Sequence, residues 1–449
     1  MHPVEIVHTP LVSLAELKAA LTEGKLDAAF DVLGGVGGPA AQRARALTLL
    51  DTFAAKHGKD RRVGLFTVAG RSELSGNHTD HNHGCVIAAS ISLDILAVAS
   101  PREDSLIHLW SEGFGEDTVD ISAYTTPDES KFGRAEALIA GVCKGFSDAG
   151  YAVGGFDACT TSSVLKGSGL SSSAAFEDMV GTILSHLYNN GSVDNVTVSK
   201  ISQYAENVFF GKPCGLMDQV ACAVGGIVAI DFADPKNPVI EPLPFDMTAA
   251  GYHLCIVNTG GNHADLTDDY AAVPREMKAV AAHFGKNVLR EVSEEQVIAA
   301  IPALSESVGD RAILRALHFL TENRRVAAQK RALETAIAAT DTAARDAAVD
   351  EYFAGVLASG RSSYCYLQNV YTVKNVTEQG LSLALCLCER LLGDRRAAYR
   401  VHGGGFAGTV QAYVPADLVD DFTATMDAAF GKGATADLRI RPVGAARIY

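Results

Sequence analysis

The run CVIAASISLDILAVAS, residues 85–100, is apolar, rich in β-branched side chains and interrupted by a single charge. Such a run reads as a long buried strand, and a strand of that kind needs a sheet around it. VGLFTVAG (63–70) precedes it as another strand, and IHLWS, TVDIS and GGFDACTTSSV continue the pattern. Helical spacing interleaves with these strands, first from about Gly133 to Ala149, then in AAFEDMVGTILSHLYN and VSKISQYAENVFF. After the strands GGIVAIDF and HLCIVNT comes a mostly helical stretch, Asp269 to Leu392. It is rich in Ala, Arg and Glu, a composition that predicts exposed helical faces without special chemistry. AAYRVHGGGFAGTVQAYVP alternates like a hairpin about a glycine turn, and a helix and a final strand follow.

The fold class predicted is therefore α+β, with mixed sheets in two lobes dividing near residues 235–250. A helical extension, broken at LGGVGGPA, occupies 1–60, with one domain at 61–240 and a second at 241–449. At 449 residues the chain exceeds what one core usually supports. With 48% hydrophobic and 20% charged residues it has a globular balance, and the net charge of −15 argues against nucleic-acid partners. No signal-like N-terminus or bilayer-length apolar run is visible, so no membrane partner is expected. Nine cysteines, an odd number without a CxxC pair, fit a reducing cytoplasm better than a disulfide framework.

Three loops carry the chemistry. KGSGLSSSAAFEDMV (166–180) passes from Gly167, Ser168 and Gly169 through Leu170, Ser171, Ser172 and Ser173 into a helix. Glycines allow close backbone approach, and a helix amino end with serine hydroxyls suits phosphate oxygens. This exceeds an ordinary serine cap, although no Walker motif is present. GGGFAG (403–408) formally matches GxGxxG, but a strand-like TVQAYV follows where a dinucleotide fold needs a helix. A glycine turn beside a ligand or another backbone is the better reading. GRSELSGNHTDHNHG (70–84) holds His78, His81 and His83 in an H-x-x-H-x-H spacing compact enough for zinc, which would still need compatible geometry and a fourth partner. In AENVFFGKPCGLMDQVACAVGG (205–226), Glu206 closes a helix and Asp218 stands where the chain resumes.

Taken together and in order, these blocks resemble the galactokinase branch of the GHMP kinase superfamily. GRSELSGNHTDHNHG is similar to the signature GRxNLIGEHTDYNxG, GSGLSSSAAFE to the family phosphate loop and HGGGFAGT to its C-terminal glycine motif. VNTGGNHADLTDDYAAVPRE resembles the run around a sugar-contacting tyrosine, and the likeness spans about residues 62–449. The resemblance implies ATP-dependent phosphorylation of a hexose anomeric hydroxyl. It places catalytic roles on Arg71 and Asp218 and sugar contacts on Asn77, His78, Asp80, Gly215 and Tyr270. It implies ATP on residues 167–173 and Mg²⁺ on Ser172 and Glu206. A carboxylate can orient the hydroxyl or take its proton, while a guanidinium offsets developing phosphoryl charge.

The pattern also departs from the family. Asn77 stands where a glutamate usually accepts from the sugar 6-hydroxyl, and an amide would admit a C6 carboxylate that glutamate repels. Galactose is thus the first substrate and a galactose-like uronic acid the second. Ser75 replaces an isoleucine, Asn262 an arginine and Ala407 a glycine. A sugar and ATP sensor without turnover is a third reading, opposed by the intact SSSAA block. Mevalonate or homoserine kinase activity is opposed by the sugar-reading segments.

Overall fold

A computed structural model describes residues 10–164, 170–212, 214–261 and 266–449. The chain opens with β1 (Val12–Ser13) and three helices, α1 (Leu14–Thr22), α2 (Asp27–Leu33) and α3 (Gly38–His57). A capping box starts α1, because the Ser13 hydroxyl accepts from Glu16 N while the Glu16 carboxylate accepts from Ser13 N. Leu17, Leu21, Phe30, Leu50 and Phe53 then pack on Val63, Leu65, Leu96 and Val98. The extension therefore covers one apolar face of the first sheet, a role its sequence does not announce.

That sheet contains β2 (Arg62–Ser75), β3 (Cys85–Pro101), β4 (Leu106–Ser111) and β5 (Gly115–Asp120). After α4 (Ala135–Asp148) it gains β6 (Phe156–Ser162). The helices α5 (Ser172–Tyr188), α6 (Asn195–Tyr204) and α7 (Met217–Val224) follow, then β7 (Ile227–Asp231) and β8 (Val239–Leu243). The main path runs β1-β2-β3-β6-β4-β5, with β7 on β3 and β8 on β7. Sequence reading misses β8, since Pro242 in a five-residue segment argues against a strand. An edge position tolerates it.

A second sheet, in the order β10-β11-β9-β12, is built from β9 (Tyr252–Asn258) and three strands near the C-terminus. Between β9 and those strands lie α8 (Thr267–His283), α9 (Glu294–Ala299), α10 (Ile301–Ser307), α11 (Asp310–Ala338), α12 (Thr342–Ser362) and α13 (Gly380–Leu392). The hairpin β10 (Ala398–His402) and β11 (Thr409–Pro415) precedes α14 (Val419–Phe430), β12 (Thr435–Leu438) and β13 (Ala446–Arg447). β13 pairs with β2, so the end of the chain returns to the first sheet rather than staying with the second. Asp94 pins this return, holding Arg45 of α3 at 2.5 Å and Arg441 at 3.2 Å. Among the described residues no helix is long and apolar enough to cross a membrane.

Candidate active site

β2 delivers the first functional side chain. Its pairing with β3 slips at Ala69/Gly70 and again at Glu73/Ser75. Such bulges re-aim side chains, and Arg71 lies between them. Arg71 is 7% exposed, and its Nε and Nη2 donate to the two oxygens of Asp218 at 2.8 and 2.9 Å. Asp218 comes from the first turn of α7. Burial alone would lift its carboxyl, but the Arg71 charge, the paired bonds and the Ser171 hydroxyl hold it below the ordinary value. Burial likewise opposes the Arg71 charge, and Asp218 outweighs it. The two predicted catalytic residues thus form a bidentate ion pair, with 32% of the Asp218 side chain still open.

Ser171 links this pair to the serine block that opens α5. It is the N-cap of α5 with a left-handed φ of 59°, yet its hydroxyl donates to Asp218 instead of capping the helix. The amides of the first turn are left for another acceptor, which suits an anion. Leu170 is buried, and its carbonyl accepts from Arg71 N at 3.2 Å. Gly167, Ser168 and Gly169 lie outside the described residues, as does Asn262.

Glu206 sits in a π-turn, Ala205–Phe209, that continues α6, a distortion often found at functional sites. Its carboxylate is 2% exposed and ringed by donors: Lys212 Nζ at 2.9 Å, Cys214 Sγ at 3.0 Å and Gln219 Nε2 at 2.8 Å. Ser173, not Ser172, meets it, with its hydroxyl 3.2 Å from Oε1. A serine hydroxyl and a buried carboxylate already facing an ammonium are hard oxygen donors that fit Mg²⁺.

The signature loop and the glycine hairpin are joined carbonyl by carbonyl. Asn77 Nδ2 donates to Gly403 O at 2.6 Å, His78 Nε2 to Gly404 O at 2.9 Å and the Tyr270 hydroxyl to Gly405 O at 2.8 Å. A Cβ at Gly405, where φ is +79°, would overlap Asn369 O, so that glycine is sterically required. His78, Ser171 and Phe406 all hold left-handed backbone without being glycine, which concentrates strain in these three loops. Asp80 is partly buried. Burial first, then the Asp218 and Glu73 charges, raise its carboxyl to about 6. Gly215 approaches it so closely that a Cβ there would overlap Asp80 Oδ2.

Asn77 does not occupy the place the sequence assigns it. It is fully buried. Its Nδ2 also donates to Glu73 Oε1 at 3.2 Å, and its Oδ1 accepts from Asn369 at 2.9 Å and Ser363 at 3.2 Å. Two donors and two acceptor positions are all a carboxamide has, so none remains for a sugar hydroxyl or a C6 carboxylate. The zinc alternative fares no better. His78 turns to Gly404, Asn82 Nδ2 donates to His81 Nδ1 at 2.9 Å, and among the described residues no group of three His, Cys, Asp or Glu side chains could hold a metal.

Sequence reasoning also missed α11, whose polar residues were expected to face solvent. Arg315, His318, Glu322 and Gln329 are at most 1% exposed and line up on one helical face. His318 Nε2 donates to Asn77 O at 2.9 Å, Glu322 accepts from Asn77 N at 3.3 Å, and Gln329 accepts from the Ser75 hydroxyl at 2.5 Å. Burial lowers His318 to about 4, so the ring is neutral and its donor is fixed. The available signal was the three- and four-residue spacing of polar side chains inside an alanine-rich helix.

Residues 137–226 match the GHMP kinases N terminal domain, and residues 51–101 match the galactokinase galactose-binding signature. The chain is 31% identical to galactokinase of Streptomyces coelicolor over 368 residues, 82% of this chain and 88% of that one. It is 30% identical to galactokinase of Glaesserella parasuis over 353 residues, 78% and 85% of the two chains. The crystal structure of Lactococcus lactis galactokinase complexed with galactose aligns with a TM-score of 0.73 at 24% identity, covering 90% of this chain and 99% of that one. Methanococcus jannaschii mevalonate kinase aligns at 0.56 and 12% identity, over 84% and 98%. The curated relatives and the matched N-terminal domain make this chain a GHMP kinase. Within that superfamily the chain belongs to the galactokinase family.

Proposed function

We propose that this chain transfers the γ-phosphoryl group of ATP directly to the anomeric hydroxyl of D-galactose, giving galactose 1-phosphate and ADP. The observation that carries the reading is the Arg71–Asp218 pair tied through Ser171 to the uncapped amino end of α5. One end of this arrangement orients a hydroxyl and the other receives phosphate oxygens.

Asp218, held ionised by Arg71, accepts the hydrogen bond of the attacking hydroxyl and fixes its direction. Its depressed pKa makes it a weak base. A loose phosphoryl transition state asks little deprotonation of the nucleophile, so the proton passes to Asp218 late. Arg71 offsets charge on the phosphoryl oxygens as they pass. Ser173 and Glu206, with Ser172 beside them at the head of α5, are the residues that would hold Mg²⁺. When bound, the ion supplies neutralisation of the phosphate charge. Asp80 accepts from sugar hydroxyls, and Gly215 leaves the space its carboxylate occupies. No motif offers a second phosphoryl acceptor, which supports a single displacement. Nine free thiols support the reading of a protein that works in a reducing compartment such as the cytoplasm.

Asp218→Ala tests the assignment. Turnover of galactose with MgATP is expected to vanish while galactose and nucleotide still bind by calorimetry. Near-normal turnover in the folded variant contradicts the role given to Asp218.

A further inference from the structure

We infer that Glu73 is the carboxylate that reads a neutral hexose in this chain, with Asn77 and Arg400 as the positioning residues that aim it; the inference rests on the sugar-kinase reading above. Four observations lead there. Glu73 lies two residues beyond Arg71 within the stretch bounded by the two register slips, so both side chains leave β2 on the same face. Its Oε1 is taken by Arg400 Nη2 at 2.5 Å and Asn77 Nδ2 at 3.2 Å. Its Oε2 takes no part in the hydrogen bonds of the site and is not among the buried oxygens left without a partner, so it keeps an accessible surface although Glu73 is only 4% exposed. Asn77, in contrast, has no hydrogen-bonding capacity left.

Arg400 is fully buried, and it also donates to Glu73 O at 3.1 Å and to the Ser359 hydroxyl at 3.0 Å. A guanidinium held at three points fixes the carboxylate more narrowly than a surface pair does. Electrostatics agree: burial, then Asp218 and Glu73, push the Asp80 carboxyl up, as expected of acids held near one another. Glu73, Asp80 and Asp218 therefore meet a sugar with two guanidiniums among them, and both are already paired, Arg71 with Asp218 and Arg400 with Glu73. Hydroxyl groups of a neutral hexose are donors to such a site, whereas the carboxylate of a uronic acid meets charge of its own sign. The acid and the amide have exchanged stations relative to the signature that the sequence resembles, and the discrimination against uronic acids stays with the acid.

The test uses the full-length protein with galactose and galacturonate as probes and MgATP as donor. Wild type is expected to favour galactose at least 100-fold in kcat/KM. Glu73→Gln should raise the galactose KM about tenfold to 100-fold, leave the ATP KM unchanged and narrow the galactose to galacturonate ratio. Because removing the charge leaves Arg400 unpaired, Glu73→Asp is the companion. It keeps the charge but retracts the carboxylate by one methylene, and it should raise the galactose KM while the thermal midpoint holds. A galactose KM within threefold of wild type in folded Glu73→Asp overturns the inference, as does a wild-type preference for galacturonate. No turnover of either sugar by wild type overturns the kinase reading itself, and the inference with it.

Discussion

Gly215→Ala is a small change with a large expected effect. A Cβ at residue 215 would overlap Asp80 Oδ2 and stand 3.1 Å from its Cγ and 3.5 Å from its Cβ. The backbone beside it cannot retreat freely. Cys214 N donates to Asn207 Oδ1 at 2.6 Å, Cys214 O accepts from Gln203 Nε2 at 3.2 Å, and Leu216 caps α7 on the other side. The Asp80 carboxylate therefore has to move, by about 1 Å, against the bond its Oδ1 accepts from His81 N at 2.9 Å. A misplacement of about 1 Å at a reacting centre costs on the order of 100-fold, or about 2.7 kcal/mol. Steady-state kinetics should show kcat/KM for galactose falling about 30-fold to 100-fold, with the ATP KM within about threefold and little change in thermal midpoint. A folded Gly215→Ala enzyme with galactose kinetics within threefold of wild type refutes the claim that Asp80 is held in a sugar-contacting position by this close approach.

Two further outcomes follow. The Asp80 carboxyl is raised to about 6 from 3.8, so its protonated form is favoured by folding; that contribution is present below the unfolded value and is lost as pH rises through 6. Asp80→Asn should consequently stabilise the sugar-free protein more at pH 8 than at pH 5, by about 1.5 kcal/mol because pH 5 already lies above the unfolded value, measured as the difference in thermal midpoints. Equal effects at both pH values contradict the raised pKa. Phe53 is fully buried between α3 and the first sheet, and Phe53→Ala should cost about 3–5 kcal/mol by cavity formation. The thermal midpoint should fall while both KM values hold. An unchanged midpoint contradicts the covering role of the extension.

Much of the architecture is written locally. The run at residues 85–100 becomes β3, the serine block opens α5, and the glycine hairpin falls between β10 and β11, because each depends on neighbours in sequence. β13 is different: two residues that gain meaning only by pairing with Thr67 and Phe66 have no pattern of their own to read. The site divides in the same way. Arg71, Asp218 and Asp80 are singled out as candidates by their blocks, and the fold brings them close to one another. Asn77 was given a sugar-facing role by its place in a motif, while its actual partners, Ser363, Asn369 and Gly403, stand 286, 292 and 326 residues away. Saturation of an amide is a property of packing, and no spacing rule encodes it. The buried face of α11 escaped for a related reason, since polar residues at helical spacing look the same whether they meet water or another polar network.

The most direct test of the account is the wild-type reaction itself. Galactose and MgATP are incubated with the full-length protein, ADP release is followed, and the product is read by phosphorus and proton NMR. The account predicts stoichiometric ADP and a phosphate coupled to the anomeric proton of galactose. Phosphate at another carbon, or tight binding of both substrates without ADP release, contradicts it.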